Sequence, residues 1–305
     1  MRILFIGQAP FGKESLEALL AQGEDVVGVI TVEDAASQKY PNPVKESALA
    51  HGLELYQANF LKKPEALDWV VQRRPDLLVL GFVTAFVPRE MIDSASHGGI
   101  NYHPSLLPKY RGGSAINWAV INGEKETGVS IHFIDEGVDT GPILLQEKVV
   151  IEPDDTVKSL YFDKLYPMGI RMIAEAVRQI REGTAQPVAQ EESQASFQPV
   201  ITAADAVIDW NRSTRQVYNL IRGSNPSPGA GTSFHGERLK IFDAERTAET
   251  DNPGTVIGFG DDGFTVATED GSIKILTVQP AGSKKLPALE FSRIAGLKTG
   301  DLLGN

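Results

Sequence analysis

The chain contains no cysteine. That absence excludes disulfides, thiolate metal sites and a cysteine nucleophile together, and it suits a cytoplasmic protein. No run of about 18 apolar residues occurs, so no membrane span is expected. The opening MRILFIGQAP lacks the layout of a secretory leader; its apolar run is too short and reads as a first β-strand. No G-x-S-x-G nucleophile elbow is present. Basic residues are in deficit: 29 Lys and Arg face 40 Asp and Glu, a net charge of −11. A phosphate-binding surface needs clustered Lys and Arg, so the overall field disfavours non-specific nucleic-acid binding.

What is there is enough chain, 305 residues, for one large or two moderate domains. RILFIG (2–7) and VVGVIT (26–31) are short β-rich runs, and GKESLEALLAQG between them carries apolar residues at helical spacing. PVKESALAHG and KPEALDWVVQRR repeat the helical pattern, and LELYQA, DLLVLGF and GGINYH are further strands. This alternation predicts a Rossmann-like, mostly parallel α/β sheet. GVSIHFID and PILLQEKVVI read as two strands around a turn. Residues 156–183 form a long amphipathic helical pattern, with a bend expected near Pro167. After Gly183 the polar, Gln-rich stretch TAQPVAQEESQASFQP has no sustained period and reads as a linker over the surface. Beyond it come one helix and several short strands separated by Gly and Asp, the pattern of a small β-barrel or sandwich. The expected domains are residues 1–202 and 203–305.

GQAPFGK (7–13) matches the first part of a phosphate loop, but Glu14 stands where Ser or Thr would hold Mg²⁺. A carboxylate there would repel phosphate. The stretch reads instead as a tight strand-to-helix turn at the carboxyl edge of the sheet, where open α/β sheets hold their ligands.

The segment INYHPSLLPKYRGG (100–113) is different. Asn101 and His103 are two apart on a strand, so both side chains leave by the same face. Pro104 then ends the strand, and SLLPKYRGG is a long loop whose apolar residues have no obvious core to enter. Further on, IDEGVDTGPILLQ places Asp139, Thr140 and Gly141 in an acidic turn just before a new strand. A His titrates near neutral pH, a neighbouring carboxylate fixes its tautomer, and a side-chain amide can donate to a carbonyl oxygen that gains charge. Those parts suit acyl transfer between nitrogens without a covalent enzyme intermediate. By itself a strand-end His is more often structural, Asp in Asp-Thr-Gly is usually a turn residue, and spacing alone does not bring the two together. His51, His97, His132 and His235 show no metal spacing and read as structural or exposed; Trp118 and Trp210 read as packing residues.

NYHPSLLPKYRG, followed 36 residues after the His by the Asp of DEGVDTG, resembles the signature of the 10-formyltetrahydrofolate-dependent formyltransferases. The likeness continues through VIDWN, IRGSNPSPGAGTSF and ILTVQPAGSKKLPALEFSR. It implies the formyltransferase fold with a C-terminal OB-like barrel, 10-formyltetrahydrofolate as co-substrate and no metal. By this resemblance Asn101 holds the formyl oxygen, His103 assists proton transfer, and Asp139 orients His103 and moves protons through a bound water. Folate contacts fall to Phe82, Val83, Thr84, Ala85 and Phe86, and to Val138, Thr140 and Gly141. Ser105, Leu106, Leu107 and Pro108 border the formyl end.

Three branches of the family compete for the acceptor. The type that formylates methionyl-tRNA leads, because length, two-domain layout and C-terminal residues resemble it. Pro104 departs from it, since a Gly usually follows the His there, and so does the weakly basic stretch VEDAASQKYPNPVKES. The 10-formyltetrahydrofolate hydrolase type also resembles this chain, but it carries an apolar residue where this chain has Asn101. The amino-sugar type resembles it as well and needs no basic surface. The oligomeric state is not legible.

Overall fold

A computed structural model describes residues 1–35 and 39–304. Part of the weakly basic stretch, residues 36–38, therefore lies outside the described residues. Contacts divide the chain into two compact units. The first comprises residues 1–111, 128–149 and 163–197; the second comprises 112–127, 150–162 and 198–305.

In the first unit β1 (Arg2–Gly7), α1 (Ala9–Ala21), β2 (Asp25–Thr31), α2 (Pro43–Ala50), β3 (Leu55–Gln57), α3 (Pro64–Arg73), β4 (Leu77–Gly81), α4 (Arg89–Asp93) and β5 (Gly99–His103) follow one another. β1 and β4 are buried almost throughout, as strands covered on both faces must be. β6 (Arg111–Gly112), α5 (Ala115–Ile121), β7 (Glu126–Phe133) and β8 (Ile143–Val150) come next. The seven-stranded sheet has the order β3-β2-β1-β4-β5-β7-β8. Pairs from β3 to β5 are parallel, and β5 pairs with β7 antiparallel. Strand order reverses at β1: the chain leaves the carboxyl ends of β1 and β4 in opposite directions along the sheet, the place where open α/β sheets hold ligands.

GQAPFGK is the tight strand-to-helix turn expected: Gly7 ends β1 and α1 begins two residues later. The long helical stretch is irregular near Pro167. It consists of α6 (Val157–Ser159), a π-helical turn over Leu160–Leu165, and α7 (Tyr166–Glu182). Proline has no N–H to give, and the wider turn falls directly before it.

In the second unit α8 (Thr214–Gly223) opens on a capping box between Ser213 and Gln216. It packs on α5 and on an antiparallel sheet. After β9 (Phe197–Gln198), which pairs with β6, the sheet strands are β10 (Ala230–Phe234), β11 (Glu237–Thr247), β12 (Val256–Phe259), β13 (Phe264–Ala267) and β14 (Ser272–Pro280). Their order is β10-β11-β14-β13-β12. The tail bridges the two edges: the Val256 amide donates to Asp301, and the Gly304 amide to Ser233. The sheet thus curls around a core that includes Trp210, Phe264, Ile275 and Phe291. Trp210 is buried, as expected, and its Nε1 donates to Thr232. Trp118 is only partly buried and donates to the Pro199 carbonyl.

Candidate active site

β5 ends at the carboxyl edge of the sheet, and its antiparallel ladder with β7 sets Asn101 opposite His132 and His103 opposite Ser130. Residues directly opposite in such a ladder share a face. Asn101, His103, Ser130 and His132 therefore line one surface. The loop between β7 and β8 folds back over it and brings Asp139 between the two histidines.

The distances are consistent across this group. Asp139 Oδ2 lies 3.4 Å from His103 Nδ1, and Asp139 Oδ1 lies 3.3 Å from His132 Nε2. Asn101 Nδ2 is 3.4 Å from Asp139 Oδ1 and 3.3 Å from His132 Nε2. Both rings are pinned at their far nitrogen. His103 Nε2 donates to the Tyr110 carbonyl at 2.7 Å, and His132 Nδ1 donates to the Phe133 carbonyl at 2.8 Å. A carbonyl only accepts, so those nitrogens carry the hydrogens and the inner nitrogens face Asp139. His103 is 5% exposed and His132 is 2% exposed. Burial pushes the His103 imidazole below its ordinary pKa, Asp139 and the Tyr110 carbonyl pull it up, and His132 lowers it further.

Of the two readings the sequence left for His132, structural or exposed, its burial excludes the exposed one, and its ring stands beside Asn101 and Asp139. It is buried inside the site. The missing signal was the register: His132 lies two residues from Ser130 on a strand whose partner was unknown until β5 and β7 were paired. The Asp139 turn is built by its glycines. A Cβ on Gly141 would collide with the Phe133 carbonyl, and one on Gly137 with Thr140. Asp135 Oδ1 accepts from the Gly137 amide and the Thr140 hydroxyl, closing the loop. Asp139 itself has φ +56°, a left-handed conformation that Asp tolerates better than most residues.

The loop after β5 has a core to enter after all. Ser105 and Leu107 are buried, and Leu106 and Pro108 are partly exposed. Ser130 Oγ donates to the Ser105 carbonyl at 2.7 Å and accepts from the Leu107 amide at 3.2 Å. Gln146 Nε2 donates to the Leu107 carbonyl at 2.9 Å. On the β4 side, Phe82, Thr84 and Phe86 are exposed, while Val83 and Ala85 pack against the core beneath the sheet. Phe86 lines a cavity of about 390 Å³ with Lys62, Val87, Arg89, Asp135 and Glu136. Val138 is half exposed, Thr140 is partly buried and Gly141 is buried. Among the described residues, no cluster of three or more His, Asp or Glu is arranged to hold a metal ion.

An amide, two buried imidazoles and a carboxylate meet at the carboxyl edge of a doubly wound sheet, an arrangement able to donate to a carbonyl oxygen and to move a proton. The formyl transferase family matches residues 1–177, and its C-terminal domain matches residues 200–296. The chain belongs to this family. It is 37% identical over 306 residues to a methionyl-tRNA formyltransferase of Trichlorobacter lovleyi, covering 99% of this chain and 96% of that one. It is likewise 37% identical to the methionyl-tRNA formyltransferase of Bacillus subtilis, covering 99% and 98%. Among solved structures, HypX from Aquifex aeolicus superposes with a TM-score of 0.70 at 20% identity, over 99% of this chain and 48% of HypX. WlaRD, a sugar 3N-formyl transferase, superposes at 0.69 and 20% identity, covering 93% and 99%. No helix among the described residues is long and apolar enough to cross a membrane.

Proposed function

We infer that this protein transfers a formyl group from 10-formyltetrahydrofolate to the amino group of methionyl-tRNA. The observation that carries this reading is the meeting of Asn101, His103 and Asp139 at one strand edge, together with full-length similarity to methionyl-tRNA formyltransferases. The amine nitrogen attacks the formyl carbon, and the C=O bond opens to an oxyanion. Asn101 Nδ2 donates to that oxygen. The proton leaving the amine passes on the Nδ1 side of His103, because Nε2 is committed to Tyr110. Asp139 stabilises the imidazolium and relays the proton, through a water, to N10 of the folate as the C–N bond breaks. The products are tetrahydrofolate and a formamide, and no enzyme-bound acyl group forms. Contacts of 3.3–3.4 Å in the free protein would tighten around substrate.

We place the folate between residues 82–86 and the 138–141 turn, with Ser105, Leu106, Leu107 and Pro108 bordering its formyl end. The functional boundary is put at residue 202, just inside the start of the second matched region at residue 200, and the working compartment is the cytoplasm. The test is turnover of 10-formyltetrahydrofolate with methionyl-tRNA, with amino-sugar nucleotides, or with no acceptor. Turnover that requires methionyl-tRNA supports the reading. Equal turnover without acceptor marks a hydrolase and overturns it, and so does turnover that requires an amino sugar.

A further inference from the structure

The polar stretch after α7, expected to be a plain surface linker, is stapled to both loops that form the site. At its start, Val188 and Ile143 exchange amide–carbonyl hydrogen bonds of 2.8 Å, two residues beyond Gly141. Near its end, the Ser196 amide donates to the Pro108 carbonyl at 3.1 Å and the Arg111 amide donates to the Ser196 carbonyl at 2.8 Å. Ser196 Oγ accepts from the Tyr110 amide at 2.9 Å. Tyr110 is the residue whose carbonyl holds His103.

Between these staples lies Gln190. Its Nε2 donates to the Asp139 carbonyl at 2.8 Å and to the Gly141 carbonyl at 2.7 Å. Its Oε1 accepts from Arg111 Nε at 3.1 Å and Nη2 at 2.9 Å. Arg111 is 6% exposed and is gripped on its other edge by the Glu192 carboxylate at 2.6 and 2.9 Å. Arginine only donates and the carbonyls only accept, so the amide has one workable orientation and all four bonds are satisfied. The cation also polarises the amide and strengthens its N–H donors. Those donors grip the turn at Asp139, a residue held in a left-handed conformation, and again two residues later at Gly141. A backbone of that kind persists only where its surroundings over-determine it.

We propose that Gln190, locked by Arg111 and Glu192, is the positioning residue that holds Asp139 between His103 and His132. It touches neither donor nor acceptor and acts through the backbone of the Asp139 turn. The catalytic consequence rests on the formyl-transfer reading above; the positioning itself does not.

The test therefore has two arms, on the full chain. The first follows the imidazole resonances of His103 by NMR in the free protein, in wild type, Gln190→Ala and the near-isosteric Gln190→Glu. The groups facing His103 are Asp139 from the turn, His132 from β7 and the Tyr110 carbonyl. Asp139 is the one that raises its affinity for protons along with that carbonyl. Releasing the turn changes both the burial of the ring and its distance from Asp139, so the His103 midpoint should shift in Gln190→Ala. In Gln190→Glu an oxygen would face the two carbonyls that the amide now bonds, so the turn should open there too. The second arm is a double-mutant cycle on kcat. Gln190→Ala should lower kcat by ~10–100-fold in wild type, the scale of a displaced catalytic group. It should change kcat by less than about two-fold in an Asp139→Asn background, since residues acting as a unit are not additive. An unmoved His103 midpoint in folded variants would overturn the proposal, as would full additivity in the cycle. The NMR arm decides even where no formyl transfer is detected.

Discussion

At His103 the protein holds a titratable ring out of water and commits one nitrogen to a backbone carbonyl. The remaining nitrogen is the only one that can handle a proton, and Asp139 faces it. His103→Ala should lower kcat by ~10²–10⁴-fold, the range for a lost general acid–base group, with circular dichroism unchanged. Undiminished turnover in a folded variant would remove His103 from the chemistry. The same burial has a thermodynamic side. The folded imidazole binds its proton less readily than an unfolded one, whose pKa is about 6.5. Below about pH 6.5 the unfolded chain therefore takes up more protons, and stability falls as pH is lowered through that window. Above it the group has no effect. Urea midpoints between about pH 7 and about pH 5.5 should drop in wild type, and drop less in His103→Asn. The Asn-His pair could be read from the sequence because a period of two puts both on one face. His132 could not, because its neighbours belong to a strand some thirty residues away.

At the scale of elements, the turn between β7 and β8 is shaped by contact more than by conformation. Gly141 has no room for a methyl group, because the Phe133 carbonyl occupies the space. Gly141→Ala should cost about 1–3 kcal/mol, the usual penalty for overpacking. It should also reduce kcat, because the carbonyls gripped by Gln190 move with the turn. Urea unfolding and steady-state kinetics would check both; a stable, fully active variant would mean the turn yields without disturbing Asp139. The sequence marked this loop by its glycines and acids. It gave no sign of the strap beside it, since Gln190, Arg111 and Glu192 have no period and meet only in space.

For the whole molecule, the division into compact units does not coincide with the boundary proposed at residue 202. Residues 112–127 and 150–162 group with the C-terminal part. Asn117 Nδ2 donates to the Gly223 carbonyl at 2.8 Å, and Tyr218 donates to Asp154 at 2.8 Å. The Arg222 guanidinium, buried and pushed below its usual pKa chiefly by desolvation, donates to the carbonyls of Glu152 and Asp155. A fragment ending at residue 202 would leave α5 without α8 and strand these groups. It should melt well below the full chain or aggregate, by calorimetry and light scattering. A cooperative, soluble fragment with an unchanged melting point would show that the C-terminal part contributes nothing to α5.

Taken by itself, the sequence determined the alternation of strands and helices, the lack of thiol chemistry, and the Asn101, His103 and Asp139 candidates. These depend on local period, on composition or on short motifs, which survive without knowledge of neighbours. Tertiary structure decided that His132 joins them, that Leu107 is buried, and that the polar stretch after α7 is a clamp. Each of those depends on strand register or on hydrogen bonds across dozens of residues, and a one-dimensional pattern does not carry that distance.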